Sequence, residues 1–348
     1  MNQLFEGPNS EEYLIELIRK EEFELIPDGF WNDRKFMVLL IKHRPDKTHV
    51  NRDLYRSSRK IAQAMISRPG QGSLLFDLPD HFRNDRKMIL SAVLNSPKIY
   101  RHLTPDQKED DEISTNALKC DRNNFEYLPE RFRFDPDILA WSLAELHGDN
   151  IAHTSLELKD NEEIAKMAIY NHEDAYHHLS ERLKMKKEIV IFFVREHPWY
   201  FGDLPEVFRF DREIVKIAIS TNGFCFGNIS FSSPELKDDK ELGIMAINTD
   251  MLSYHSLSPR LQNDIDIVRL HIELYPFTFS EMSEDIRNNR EITELAIRSP
   301  YSTNLHFASP TMRDDKELAI FALKQDKYIY ECLSSRLKGD IDILTLRG

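Results

Sequence analysis

Residues 208–219 read FRFDREIVKIAI, and this phrase decides the fold because the chain repeats it. Taking Asp211 as the anchor, equivalent phrases occur with anchors at Asp33, Ser58, Asp85, Asp110, Asp135, Asn161, Lys186, Asp239, Asp264, Asn289, Asp315 and Asp340. Successive anchors lie 25 to 28 residues apart, and a chance pattern would not stay in step over twelve intervals. Self-similarity at this period is the signature of a stacked repeat architecture.

Each slot has a physical task. Eleven of the thirteen anchors are Asp or Asn, residues that accept hydrogen bonds from the orphan N–H groups opening a helix. From Glu112 onward an acid stands two residues after the anchor, where it suits the positive end of the helix dipole. Apolar residues at +3, +7 and +8 give a helical stripe. Position +7 is Ala in seven copies, among them Ala92, Ala117 and Ala218, which predicts a line of close contact between neighbouring helices. Position +15 is aromatic in eight copies, from Tyr100 and Phe125 to Phe279 and Tyr330. A Leu or Met follows at +18, and then a Ser or Pro that restarts a helix. One repeat is therefore expected to be a helix of about ten to twelve residues, a shorter helical segment and a tight turn into the next anchor. Neither piece buries its apolar face alone, and stacked neighbours do.

The expectation is an all-α chain, an α-solenoid of about thirteen helical repeats of roughly 25 residues stacked into a curved or superhelical rod. It forms a single continuous repeat domain over 1–348, with 1–24 as an N-terminal capping helix and repeats over 25–348. No Gly/Ser-rich or Pro-rich linker divides it. The last copy is truncated.

The phrases LSERLKMKKEIVIFFV (179–194), LPEVFRFDREIVKIAI (204–219), LSPRLQNDIDIVRLHI (257–272) and FASPTMRDDKELAIFAL (307–323) resemble the helical repeat family known as domain of unknown function 4116. The resemblance runs most clearly from Leu78 to Leu346 and is weaker at the start, where Trp31 stands for a basic residue and Ser58 for the anchor Asp. The family implies no catalytic motif and no known chemistry. Its occurrence in intracellular bacteria, some protists and large viruses implies a role at a host–microbe interface.

Acids outnumber bases by 59 to 46, a net charge of −13 that argues against nucleic acid and anionic membranes as partners. Three scattered cysteines point to a reducing, cytoplasmic compartment without a disulfide framework. The host cytoplasm is a second location, for a chain exported without a cleavable signal. The apolar runs are too short to span a bilayer. No nucleotide-binding, hydrolase, zinc-protease or EF-hand motif occurs, so no catalytic residues, metal site or cofactor are assigned.

Three features carry candidate function. A basic ladder stands two residues before the anchor, including Arg83, Arg133, Lys159, Lys184, Arg209, Lys237, Arg287 and Arg313, with Trp31 and Gln262 as exceptions. Its structural reading is neutralisation by acids at the anchor and two beyond, and its functional reading is a track for a polyanion or acidic peptide. Position +13 adds Trp199, Phe224, Phe277 and Tyr328, which with Tyr200 are either core or an aromatic row facing a groove and a partner peptide or helix. The cluster His172, Glu173, Asp174, His177 and His178 has a metal-binding composition but no ligand spacing, and lone His271, in the Ala slot, reads as buried. The function expected is a non-enzymatic scaffold or adaptor binding another protein, of open oligomeric state. The alternatives are a subunit of a structural or oligomeric assembly and an enzyme of unrecognised type. Departures from the pattern (Trp31, Ser58, Lys186, Gln262, His271 and the insertion before Asp239) are the places to look for function.

Overall fold

The fold comes from a computed structural model that describes residues 10–43, 56–144, 146–220, 228–298 and 300–347. These residues are helical throughout, with no strand among them. Each of the thirteen anchors stands directly before a helix. The capping expected of them is visible in atoms: Asp110 Oδ1 accepts from the N–H groups of Glu112 at 3.0 Å and Ile113 at 3.1 Å. Asp85, Asp135, Asn161, Asp264 and Asp315 make the same pair of bonds. Lys186 and Ser58 make none.

The long helix buries the residues that the stripe marks. In Arg86–Asn95 these are Met88, Ile89, Ala92 and Val93, and in Lys187–Glu196 they are Ile189, Val190, Phe193 and Val194. It ends where Pro97, Pro198 or Pro276 disfavours further α geometry in the preceding residue. Elsewhere Asp121 or Asp326 turns the chain by accepting a bond from the amide two residues on.

The second piece differs from expectation. It is two elements: a six-residue 3-10 segment, such as Pro97–His102, Arg122–Tyr127 or Pro276–Glu281, and then a one-turn α-helix, such as Pro105–Lys108 or Glu284–Arg287. The +15 aromatic lies in the 3-10 segment, and Tyr100, Phe125, Phe201 and Phe279 are fully buried. The Ser or Thr before the one-turn helix caps it, as Ser155, Ser258 and Ser309 do, and Thr104 forms a full capping box with Gln107.

The contacts group the chain into two compact units, 1–180 and 181–348. In the first, the long helices Arg34–His43, Arg59–Ile66, Arg86–Asn95 and Asp111–Cys120 pack each on the next. The 3-10 segments from Gly72–Asp77 to Glu173–His178 pack in the same serial order. In the second unit, helices Lys187–Glu196, Arg212–Ser220, Lys240–Thr249, Ile265–Leu274 and Arg290–Ala296 pack serially, as do Lys316–Leu323 and Ile341–Arg347. Each unit is thus a helical stack in which a layer meets chiefly its sequence neighbours, the topology of an α-solenoid.

Layers meet at close range. A Cβ on Gly148 would lie 2.1 Å from the Ala168 carbonyl oxygen, and one on Gly72 would lie 2.5 Å from that of Ala92. The 3-10 segment of one repeat therefore abuts the +7 Ala backbone of the next, the contact line for which that slot stays small. Single backbone bonds add to the stack, with the Ser258 N–H donating to Lys237 O at 3.0 Å and the Ser309 N–H to Arg287 O at 3.1 Å.

Candidate functional site

A repeat protein offers function on the positions its stack leaves exposed, so the site is built by removing what the stack uses. The basic ladder is largely used. Arg133 Nε donates to Leu128 O at 2.9 Å, and its Nη1 donates to His153 O at 2.7 Å. Arg209 and Arg287 repeat this geometry, on Leu204 and Phe231 and on Met282 and Phe307. Each guanidinium thus satisfies the carbonyl ending its own 3-10 segment and one in the next layer. Lys159 Nζ donates to Ala152 O at 2.8 Å. Arg83 and Lys184 pair with Asp80 and Glu181 of their own one-turn helices. Lys237 contributes its carbonyl to Ser258, and Arg313 buries its Nε. At the exception, the Gln262 amide donates to His255 O and Leu257 O, both in its own repeat, and so satisfies the segment's closing carbonyl without a charge and without reaching the next layer.

At half of the junctions the acids expected to neutralise this ladder serve a different cation, the residue just after the anchor of the preceding repeat. Arg86 reaches Asp110 at 2.6 Å and Glu112 at 2.5 Å. Arg212 reaches Asp239 and Glu241, Lys240 reaches Asp264 and Asp266, and Lys316 reaches Asp340 and Asp342, all within 3 Å. Hydrogen bonds from Arg86, Arg212 and Lys316 hold the carboxyls of Asp110, Asp239 and Asp340 below the usual carboxylate range. A second device, absent from the sequence reading, is a buried Asn. Asn124, Asn150 and Asn304 each donate from Nδ2 to the end of their own long helix (Ala117 O, Ser142 O, Ala296 O) and to the preceding layer (Pro97 O, Arg122 O, Pro276 O). Its slot shifts between +14 and +15 as the repeat spacing changes, which hides it from alignment by anchor.

The histidines are also accounted for. His172 Nδ1 accepts from the Asp174 N–H at 3.2 Å and so caps the 3-10 segment. Burial pushes the His178 imidazole down from its ordinary value. Among the described residues no group of His, Cys, Asp and Glu is placed to hold a metal. His271 is fully buried, stacked on Tyr254 with centroids 4.4 Å apart, and bonded through Nε2 to Thr278 Oγ1 at 3.0 Å. Its burial, then the charge of His255, push its pKa down to about 4. Trp31, only partly exposed, packs edge-on against Phe36 at 5.5 Å.

The stack does not use the +13 row. Trp199, Phe277 and Tyr328 are 56%, 52% and 73% exposed, and Leu252 fills the same slot at 51%. Two residues on, Phe201, Tyr254 and Phe279 are buried, so consecutive odd positions of one short segment point in opposite senses. Tyr200, between them, is half-buried and its ring lies 6.2 Å from that of Phe193. Phe224 and the insertion before Asp239 fall at or beside 221–227, outside the described residues. The second unit also carries an apolar row at +6 that the sequence reading missed: Phe192, Ile217, Met245, Leu270, Leu295, Phe321 and Leu346, none of them fully buried. In the first unit that slot includes polar Ser91 and Asn116. Among the described residues no helix is long and apolar enough to cross a membrane.

No curated protein and no solved structure matches the chain. A family model, Domain of unknown function (DUF4116), matches residues 186–237 and 289–338. Both stretches lie in the second unit, and over them the chain carries the repeat of that family.

Proposed function

We propose that this protein is a non-enzymatic scaffold whose second unit binds another protein through the aromatic side chains at +13. The observation that carries the reading is the alternation within the 3-10 segments: Phe201 and Phe279 are in the core while Trp199 and Phe277 stand in solvent. Burying large aromatics stabilises an interface, and leaving them exposed costs solubility, so three of them exposed in the same slot of separate repeats favour a binding role. The +6 row widens the apolar surface of the same unit. A matching partner presents apolar side chains at the repeat spacing, as an amphipathic helix or an extended peptide does.

The test is capture by the full chain against the W199A/F277A/Y328A variant. The three side chains are exposed, so the variant is expected to keep its far-ultraviolet circular dichroism and its melting temperature. Capture of a stoichiometric partner by wild type and its loss in the variant support the reading. Equal capture by both overturns it. Light scattering of the pure protein separates the case in which the partner is a second copy of this chain, which would show concentration-dependent oligomers that the same variant dissolves.

A further inference from the structure

Several junctions of the first unit lack the cation of the ion-pair ladder (Asp111, Pro136 and Glu162 follow their anchors), but one keeps the cation and lacks both carboxylates, and it lies beside a pocket with the character of an anion site. Where the rung is complete, the cation after one anchor meets two carboxylates of the next repeat, as Arg86 meets Asp110 and Glu112. At the first junction the cation is Arg34, and the two carboxylate positions hold Ser58 and Lys60. Arg34 makes no ion pair among the described residues, and neither does Lys60. Instead both line a pocket of about 700 Å³ with Lys35, Lys42, Ser58 and Arg59. Of these, Arg59 is already engaged by Asp85 at 2.7 Å, and Glu11 is the one acid among the described residues of the wall. A neighbouring space of about 630 Å³ shares Lys42, Arg59 and Lys60 and adds Arg68 and Gln63.

The backbone at the break is also left open. Where Asp85 or Asp110 caps its helix, its carboxylate takes the amides at +2 and +3. Ser58 takes neither, and among the described residues no side chain caps the amides of Lys60 and Ile61 at the start of the eight-residue helix Arg59–Ile66. Ser58 itself is only 6% exposed, and among the described residues its hydroxyl has no hydrogen-bond partner while it lines the pocket. A buried hydroxyl, two open amides at the positive end of a helix and two cations without acids form a donor set for anionic oxygens. The local composition agrees. Residues 34–68 hold ten Lys and Arg against two acids, in a chain of net charge −13.

We infer that this pocket binds a small molecule carrying a diphosphate-type group, whose two anionic centres stand where the complete rungs place two carboxylates. Arg34 and Lys60 neutralise its charge, and the Ser58 hydroxyl and the first-turn amides of Arg59–Ile66 donate to its oxygens. The site uses none of the residues of the aromatic row.

The experiment is calorimetric titration of the full chain with inorganic pyrophosphate as the probe. Two variants accompany it. Ser58→Asp with Lys60→Glu restores the carboxylates of the regular repeat, and is expected to melt no lower than wild type because it completes a helix cap and an ion-pair rung. Arg34→Ala removes a cation from the wall without touching a helix cap. Saturable binding by wild type that weakens at least about tenfold in both variants supports the site. No binding by wild type, or equal binding by the double variant, overturns it. Parallel titrations with oligothymidylate and with phosphatidylcholine vesicles containing a phosphoinositide identify the source of the phosphoryl group. Binding to either that is tighter than to pyrophosphate overturns the assignment to a small molecule.

Discussion

His271 makes the second unit sensitive to mild acid. It occupies the slot that Ala fills in most repeats and is fully buried, with Nδ1 unpartnered and Nε2 on Thr278. Protonation would place a charge between Tyr254 and Tyr275, with no carboxylate among the groups that perturb it. The folded-state pKa is pushed down to about 4, against an ordinary value of about 6.5. A histidine whose pKa falls on folding contributes stability above its unfolded value, and this is lost as pH falls towards the folded value. The window is therefore pH 6.5 to 4. The full shift corresponds to about 3 kcal/mol, of which roughly 1.3 kcal/mol is lost between pH 7.5 and 5.5. Urea unfolding of wild type and His271→Ala at these two pH values isolates the effect. Ala fits the slot elsewhere but leaves a cavity here, so the variant starts lower and changes less with pH. The wild type should lose about 1 kcal/mol more than the variant on acidification. Equal losses in the two proteins would refute the reasoning.

Three further outcomes follow from the layer contacts. Gly148→Ala should destabilise the first unit by about 1–3 kcal/mol, read as a lowered unfolding midpoint, because its methyl would meet the Ala168 carbonyl. Asn304→Ala should cost the second unit a similar amount, about 1–3 kcal/mol, since it leaves Pro276 O and Ala296 O without their buried donor. Arg86→Ala should cost under about 1 kcal/mol despite losing two ion pairs, because the pairs are half in solvent, and that difference should shrink further in high salt.

The anchors were readable because helix capping is local: an Asp three residues before a buried apolar residue needs no knowledge of the rest of the fold, and Asp110 with Ile113 shows it. The same holds for Ala92 and Ile113 in the stripe. What depends on how one layer sits on the next was harder to read. Composition placed Arg133 near acids, yet its guanidinium lies on the carbonyls of Leu128 and His153, while the acids went to cations such as Arg86 and Lys240. A charge pattern within one repeat does not specify the register between repeats. Whether Trp199 or Phe201 faces inward was also open, because Pro198 ends the α period and the 3-10 geometry that follows resets it. Asn124 and Asn304 were missed because a one-residue change in spacing moves them out of their column. Ser58 was visible as a departure from the pattern, and only the empty cap and the pocket beside it give the departure chemical content.

Hydroxyl-radical footprinting of the full chain in solution tests the central claim most directly, because it reads side-chain exposure residue by residue. Trp199, Phe277 and Tyr328 should be modified rapidly, and Phe201 and Phe279, two residues away in the same segments, should be protected. In complex with a captured partner, the first three should become protected as well. Equal modification of Trp199 and Phe201, or of Phe277 and Phe279, would contradict the account.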